Sequence, residues 1–198
     1  MVKSWKQFDY GKVSFDATHI FSTSFTVESP WGRHTTGFVG AVVKGWSLSS
    51  LMHYQSGSPL TATNSVAVGN NGSNVSRRAS FVAGQAIGFS GTCANPKAIC
   101  WVNPNAFVTE SALGAGNTPI GNIIGPNFYQ WDASVRKTFA LPFREGLRLQ
   151  FQADAFNAFN RANWNNPNVS NAGSTSSFGQ ITGSLPGRIL QFGGKFSF

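Results

Sequence analysis

Catalysis or metal binding in this chain would have to rest on three histidines (His19, His34 and His53), seven carboxylates and two cysteines. Their spacing argues against both. The histidines fall at a strand end, in a turn and at an inward strand position, with no carboxylate or thiol at ligand spacing, so each reads as a polar structural residue. Asp132 and Asp154 lie beside Arg136 and Arg148, which points to charge neutralisation and not to an acid with a raised pKa. Gly114-Ala-Gly116 lacks the strand-and-helix context of a phosphate loop. The Asn-x-Ser matches at Asn71, Asn74 and Asn168 are what chance supplies in so Asn- and Ser-rich a chain. The sequence reads as a non-enzyme, with no catalytic residue, no metal site and no cofactor.

Cys93 and Cys100 stand seven positions apart in a Pro-, Asn- and Gly-rich stretch. Without a Cys-x-x-Cys partner or a suitably spaced histidine, a zinc site is not expected. A small loop-closing disulfide formed in an oxidising compartment fits the spacing. Two free thiols are the alternative.

Composition bounds the surface these residues sit on. Only 11% of the 198 residues are charged, against roughly 25% in soluble domains. Aromatics reach 14%, with 18 Phe and 6 Trp, and Gly numbers 22. Few charges, many aromatics and many turn-formers suit a β-rich protein whose outer surface is not water. No run approaches the ~18 consecutive apolar residues of a membrane helix, so a spanning structure would be a closed barrel. The net charge of +8 is scattered, with Arg77-Arg78 the only adjacent basic pair, so nucleic acid is not an expected partner. Solvated loop charge, or contact with anionic headgroups, accounts for it.

Five segments, near residues 19–28, 46–55, 128–141, 147–160 and 188–198, alternate apolar and polar side chains with period two. In the last, Leu190, Phe192, Phe196 and Phe198 share one side, with Gly194 as a gap, while Gln191, Gly193, Lys195 and Ser197 share the other. Each segment has about the ~9–11 residues of a tilted membrane-crossing strand. Trp46, Tyr54, Tyr129, Trp131 and Phe139 crowd strand ends, as interfacial girdles do. The expected fold is all-β: an antiparallel up-and-down transmembrane β-barrel segment of about five strands, an incomplete barrel with long extracellular loops.

The connections support this. Pro142–Gly146 is a tight turn and Pro30–Gly45 is fairly short, whereas the segments 56–127 and 163–187 are long and polar. Short turns at one rim and long loops at the other mark an outer-membrane barrel. Pairing Leu141 with Leu147 sets Arg136 opposite Gln152 and diagonal to Asp154, which predicts an Arg136–Asp154 ion pair worth about 0–1 kcal/mol. Asp132, Arg136, Arg148 and Asp154 are the expected lumen-facing charges. Lys137 points toward lipid, a placement that requires a rim position and snorkelling.

Several runs in order resemble the final section of Oar-like TonB-dependent outer-membrane receptors. They are Tyr10-Gly11 with Phe15-Asp16 and Pro30-Trp31-Gly32; Gly45-Trp46-x-Leu48-Ser49 with Gln55-Ser56-Gly57-x-Pro59-Leu60; and Trp101-Val-Asn-Pro104. Further on come Asp132-x-Ser134-x-x-Lys137-x-Phe139, Asp154-Ala-Phe156-Asn157-x-Phe159-Asn160, and Phe178-Gly179-x-Ile181-Thr182. The C-terminus is similar to the signal read by the barrel-assembly machinery, carried here by Gln191, Gly193, Phe196 and Phe198. The resemblance implies a plugged barrel of about 22 strands driven through TonB, of which residues 1–198 would be the C-terminal part.

Its partners would then be outer-membrane lipid, the barrel-assembly machinery, and the remaining strands and plug. TonB would be reached only through segments absent here. With no export signal at the N-terminus and too few strands to close, the chain is expected to be a receptor fragment in a Gram-negative outer membrane, contributing lumen wall and outer loops to uptake. A secreted β-sandwich adhesin or carbohydrate-binding module, using Trp101 and Trp164, is the rival; a small passive porin is the other.

Overall fold

A period-two pattern puts one set of side chains on each face of a sheet, and a tight turn fixes which residues meet across it. The computed structural model describes residues 9–31, 34–68, 73–93, 95–109, 116–143, 146–173 and 176–198. Within these, the alternating segments form one five-stranded antiparallel sheet. Its strands are β1 (Ile20–Glu28), β2 (Trp46–Gln55), β3 (Phe128–Ala140), β4 (Arg148–Phe156) and β5 (Ile189–Ser197). Each pairs with the next in chain order, the up-and-down arrangement expected of a barrel wall. Among the described residues β1 and β5 are paired on one side only. Gly114 and Ala115 of the glycine run, Asn71, and the centre of the Pro142–Gly146 turn lie outside the described residues.

The register carries the alternation across the whole sheet. Phe25 pairs with Ser50, Trp131 with Met52, Lys137 with both Trp46 and Phe151, Ala153 with Phe192, and Leu149 with Phe196. Leu141 N–H donates to the Leu147 carbonyl at 3.0 Å, and Arg136 stands opposite Gln152. Gly194 faces Phe151, so the gap in the apolar stripe of β5 lies beside a large ring.

Two elements differ from the sequence expectation. Alternation continues to Asn160, but β4 ends at Phe156. The cause is local: Asn157 and Asn160 adopt left-handed φ of 51° and 52°, a conformation Asn tolerates better than other non-glycine residues. The Asn157 side chain then brackets Arg161, donating to its carbonyl at 2.9 Å and accepting from its N–H at 3.0 Å. Between β1 and β2, where only a connection is expected, Gly37–Val43 forms a short helix, α1. Gly45 follows it with φ +73°, and a Cβ there would lie 2.3 Å from the Thr138 carbonyl oxygen, so the chain needs glycine to enter β2.

The chain divides into two compact units. The sheet unit comprises residues 19–55, 128–163 and 186–198, and the second comprises residues 1–18, 56–127 and 164–185. The long polar connections are therefore not plain loops. They hold a core of their own: Val102, Phe107, Ile123 and Phe178 are buried with Ala62, Ala79, Ala106 and Ala172. Phe107 meets Phe81 and Phe178 edge-on at 5.8 and 5.6 Å between centroids, a preferred aromatic geometry. Thr63–Val68 pairs with Ser73–Arg78, and shorter ladders join Ile99–Cys100 to Gln180–Ile181 and Pro59–Leu60 to Ile123–Ile124. Cys93 and Cys100 are disulfide-bonded beside the first of these short ladders.

Candidate functional site: the two faces of the sheet

Among the described residues nothing packs over most of the apolar face. Phe192 is 77% exposed and Phe151 51%, and Phe21, Phe25, Leu48, Val135, Leu190 and Phe196 are exposed as well. A β-sandwich would bury this face against a second sheet. An apolar face of this extent on monomeric soluble proteins is rare; in a bilayer it is the solvent-matched side. Ser50 is a polar exception on this face, buried beneath Trp131, whose indole N–H donates to its hydroxyl. Phe159, beyond the end of β4, packs edge-on against Trp131 at 4.9 Å.

Lys137 departs from expectation. It does not snorkel: it is 5% exposed. Its ammonium donates to the carbonyls of Ala41 and Val42 at 2.8 and 2.9 Å, and to that of Lys44. The rings of Trp46 and Phe139 lie 5.2 and 4.8 Å from it, within cation–π range. These carbonyls belong to the C-terminal end of α1, which lacks intrahelical donors and carries the negative end of the helix dipole.

The polar face carries Ser22, Ser24 and Thr26 on β1; Ser47, Ser49 and His53 on β2; and a continuous set of amides and charges on β3 to β5. His53 and Ser22 share a hydrogen bond of 2.7 Å between Nδ1 and Oγ, and the imidazole leans on Phe128 at 5.7 Å. Leu51 is an apolar exception, exposed opposite Asp132.

The expected Arg136–Asp154 ion pair does not form, although the register that suggested it does. Asp154 is held instead by Gln152, whose side-chain N–H₂ donates to both carboxylate oxygens at 2.8 and 3.0 Å. Asp132 is held in the same manner by Gln130, at 2.9 Å to each oxygen, and also accepts the Asn157 N–H at 2.9 Å. Neutral donors hold these carboxylates: a glutamine amide two residues upstream in each case and, for Asp154, the side chain of Ser134 opposite it on β3 as well. Arg136 and Arg148 stand exposed.

On β3 to β5 this leaves the charges sorted along the strands. In register, Asp132 and Asp154 lie toward the sheet end where Gln55 meets Phe128 and Phe156 meets Ile189. Arg136, Arg148 and Lys195 lie toward the other end, where Ala140 meets Arg148 and Arg148 meets Ser197. Gln150, Gln152, Asp154, Gln191, Gly193, Gly194 and Lys195 border a shallow depression of about 250 Å³ on this half of the sheet. Beyond the Ser22–His53 hydrogen bond, the described residues of this face present amides, hydroxyls and charges, a polar and dipolar wall.

The C-terminal residues occupy both faces. Gln191 lies opposite Asp154 and Gly193 opposite Gln152, while Phe196 and Phe198 stand exposed, their rings 6.4 Å apart. Sequence reasoning missed the Gln130–Asp132 and Gln152–Asp154 pairs, though the repeated Gln-x-Asp spacing puts both partners on one strand face. In the second unit Trp101 packs against the core and donates its indole N–H to the Ile124 carbonyl at 2.8 Å, whereas Trp164 is exposed. Asp9 and Arg78 form an ion pair there at 2.8 Å.

A meander with one bare apolar face and one hydrated polar face is the wall of a transmembrane β-barrel. Residues 2–191 match the family described as outer membrane beta barrel domain, and the chain belongs to that family. Its place is accordingly the outer membrane. No curated protein and no solved structure is significantly similar to it.

Proposed function

We propose that the chain forms part of the barrel wall of an Oar-like TonB-dependent receptor, with a role in transport and none in catalysis. The observation that carries this reading is the open sheet: β1 and β5 each pair on one side only among the described residues. An unpaired edge in hydrocarbon costs several kcal/mol for each bare backbone group. Further strands must therefore flank this sheet, and barrels start at about eight strands. The ordered resemblance of the Asp132–Phe139 and Asp154–Asn160 runs to that receptor family favours a large plugged barrel.

In this reading the polar face lines the plugged lumen and the second unit sits among the outer loops that meet substrate. Gln191, Gly193, Phe196 and Phe198 present the signal for the barrel-assembly machinery. Lipid, the remaining strands and the plug are the other partners, TonB is reached through segments beyond these residues, and nucleic acid is not a partner. Cells producing the protein provide the test. Denaturing electrophoresis of outer membranes, probed with antibody against the 56–127 segment, is expected to reveal a polypeptide far larger than 21.2 kDa. A 21.2 kDa polypeptide recovered as an ion-conducting oligomer would establish the porin reading instead.

A further inference from the structure

We infer that α1 is an interfacial anchor, bound at its C-terminal end to Lys137 and resting its apolar outer side at the headgroup–acyl boundary of the membrane. The inference rests on the reading of the apolar sheet face as lipid-facing.

The starting point is a cation in the wrong place. Lys137 lies on the apolar face, directly opposite Trp46 on one side and Phe151 on the other, with no carboxylate at either position. A lysine on the lipid face of a barrel is destabilising at the midplane and tolerated near the interfaces. Here the ammonium is covered: three carbonyls from the end of α1 and two aromatic rings enclose it. The carbonyls are those a helix leaves without donors, so cation and helix end satisfy each other. The indole N–H of Trp46 adds a second tie, donating to the Val42 carbonyl at 2.8 Å.

The helix itself is unsuited to water. Its seven residues are too few for an isolated helix. It has no charged residue in its first or last turn, and the residue it buries is Gly40. What it leaves bare is Phe38, 84% exposed, with Val39 and Val42. These three fall at i, i+1 and i+4, one side of a helix. An aqueous helix would bury that side and show the glycine.

Lipid is the occupant that fits. α1 is tied to Lys137, Trp46 and, through Lys137, to Phe139, all on the face that continues into Val135, Phe151 and Phe192. The bare side of α1 thus extends a surface that already faces acyl chains. Its level matches the interface, since Lys137 is three residues from the end of β3 and Trp46 opens β2. Tryptophan and lysine are residues that interfaces select.

The test reconstitutes the intact outer-membrane polypeptide that carries these residues in phosphatidylethanolamine–phosphatidylglycerol vesicles, with an environment-sensitive fluorophore at single cysteines replacing Phe38, Val39 or Val42. The native Cys93 and Cys100 are bonded to each other and stay unlabelled. Controls carry the label at Phe192→Cys on the apolar face and Ser49→Cys on the polar face. Lipids with a nitroxide just below the headgroup are expected to quench roughly half of the emission at positions 38, 39 and 42, the depth at which interfacial helices lie. Lys137→Met is expected to release the helix, moving the Val39→Cys label toward quenching by aqueous iodide while the Phe192→Cys label stays lipid-quenched. Lys137→Arg keeps the cation and should retain lipid quenching.

Iodide quenching at 38, 39 and 42 with lipid quenching at Phe192→Cys overturns the anchor and leaves the barrel wall standing. Iodide quenching at Phe192→Cys as well overturns both. Protection of 38, 39 and 42 from both quenchers means a protein partner covers the helix, and this too overturns the inference.

Discussion

Gln152 donates its side-chain amide to both carboxylate oxygens of Asp154, and the neighbouring strand repeats the arrangement with Gln130 and Asp132. Each carboxylate thus has an amide donor on its own strand and a second donor from outside it, Asn157 N–H for Asp132 and the Ser134 side chain for Asp154. Arginine is left over for the water on the polar face.

A consequence concerns Arg136. Because it makes no ion pair with Asp154, Arg136→Ala is expected to change unfolding free energy by less than about 1 kcal/mol. A double-mutant cycle with Asp154→Asn should give a coupling near zero. Gln152→Leu removes hydrogen bonds to a charged acceptor and should cost about 1.5–3 kcal/mol. Urea unfolding in vesicles measures all three. A large Arg136–Asp154 coupling would restore the ion pair that the sequence suggests.

Asn157 closes β4. Its N–H binds Asp132, its side chain brackets Arg161, and its φ is 51°. Asn157→Ala loses two side-chain bonds and forces alanine into the left-handed region, for a combined cost of about 2–4 kcal/mol. Asn157→Gly keeps the backbone freedom and should cost less than the alanine variant. The same unfolding midpoints decide the order.

The disulfide closes a short loop in the second unit. Replacing both cysteines with serine is expected to destabilise that unit by about 2–3 kcal/mol on chain-entropy grounds. Hydrogen exchange should quicken in Ile99–Cys100 and its partner Gln180–Ile181, and stay unchanged in β3 and β4. Equal loss of protection in the sheet would show that the two units unfold together.

Gly193 offers a separation of folding from assembly. A Cβ built there meets nothing within 4 Å, so Gly193→Ala should alter stability by no more than about 0.5 kcal/mol. If this glycine belongs to the assembly signal, the variant accumulates unassembled in cells yet folds normally in vitro. Normal assembly in cells would remove Gly193 from the signal.

The sheet was legible in the sequence because its two faces meet different solvents. Phe192 and Gln191, or Val135 and Ser134, alternate without packing partners to blur the period. The turn at Pro142–Gly146 then fixes the register of β3 and β4 by parity alone. The second unit was not legible, since its core is assembled from single residues of scattered segments, such as Val102 in an isolated bridge, Phe107 in a strand of two residues and Phe178 in a turn. No period survives in segments so short. The partner of Lys137 was hidden for a related reason: α1 is held by contacts from β3 and β2 and not by its own propensity. Asp154 misled because charge pairing looks stronger on paper than an amide two residues away.

The most direct measurement is a nitroxide scan through β4, from Arg148 to Phe156, in vesicles, comparing collision rates with oxygen and with a water-soluble nickel complex. The account predicts a strict period of two: oxygen-rich environments at Leu149, Phe151, Ala153 and Ala155, and nickel access at Gln150, Gln152 and Asp154. Uniform nickel access along the strand, or exclusion of both reagents at Phe151 and Ala153, would contradict it.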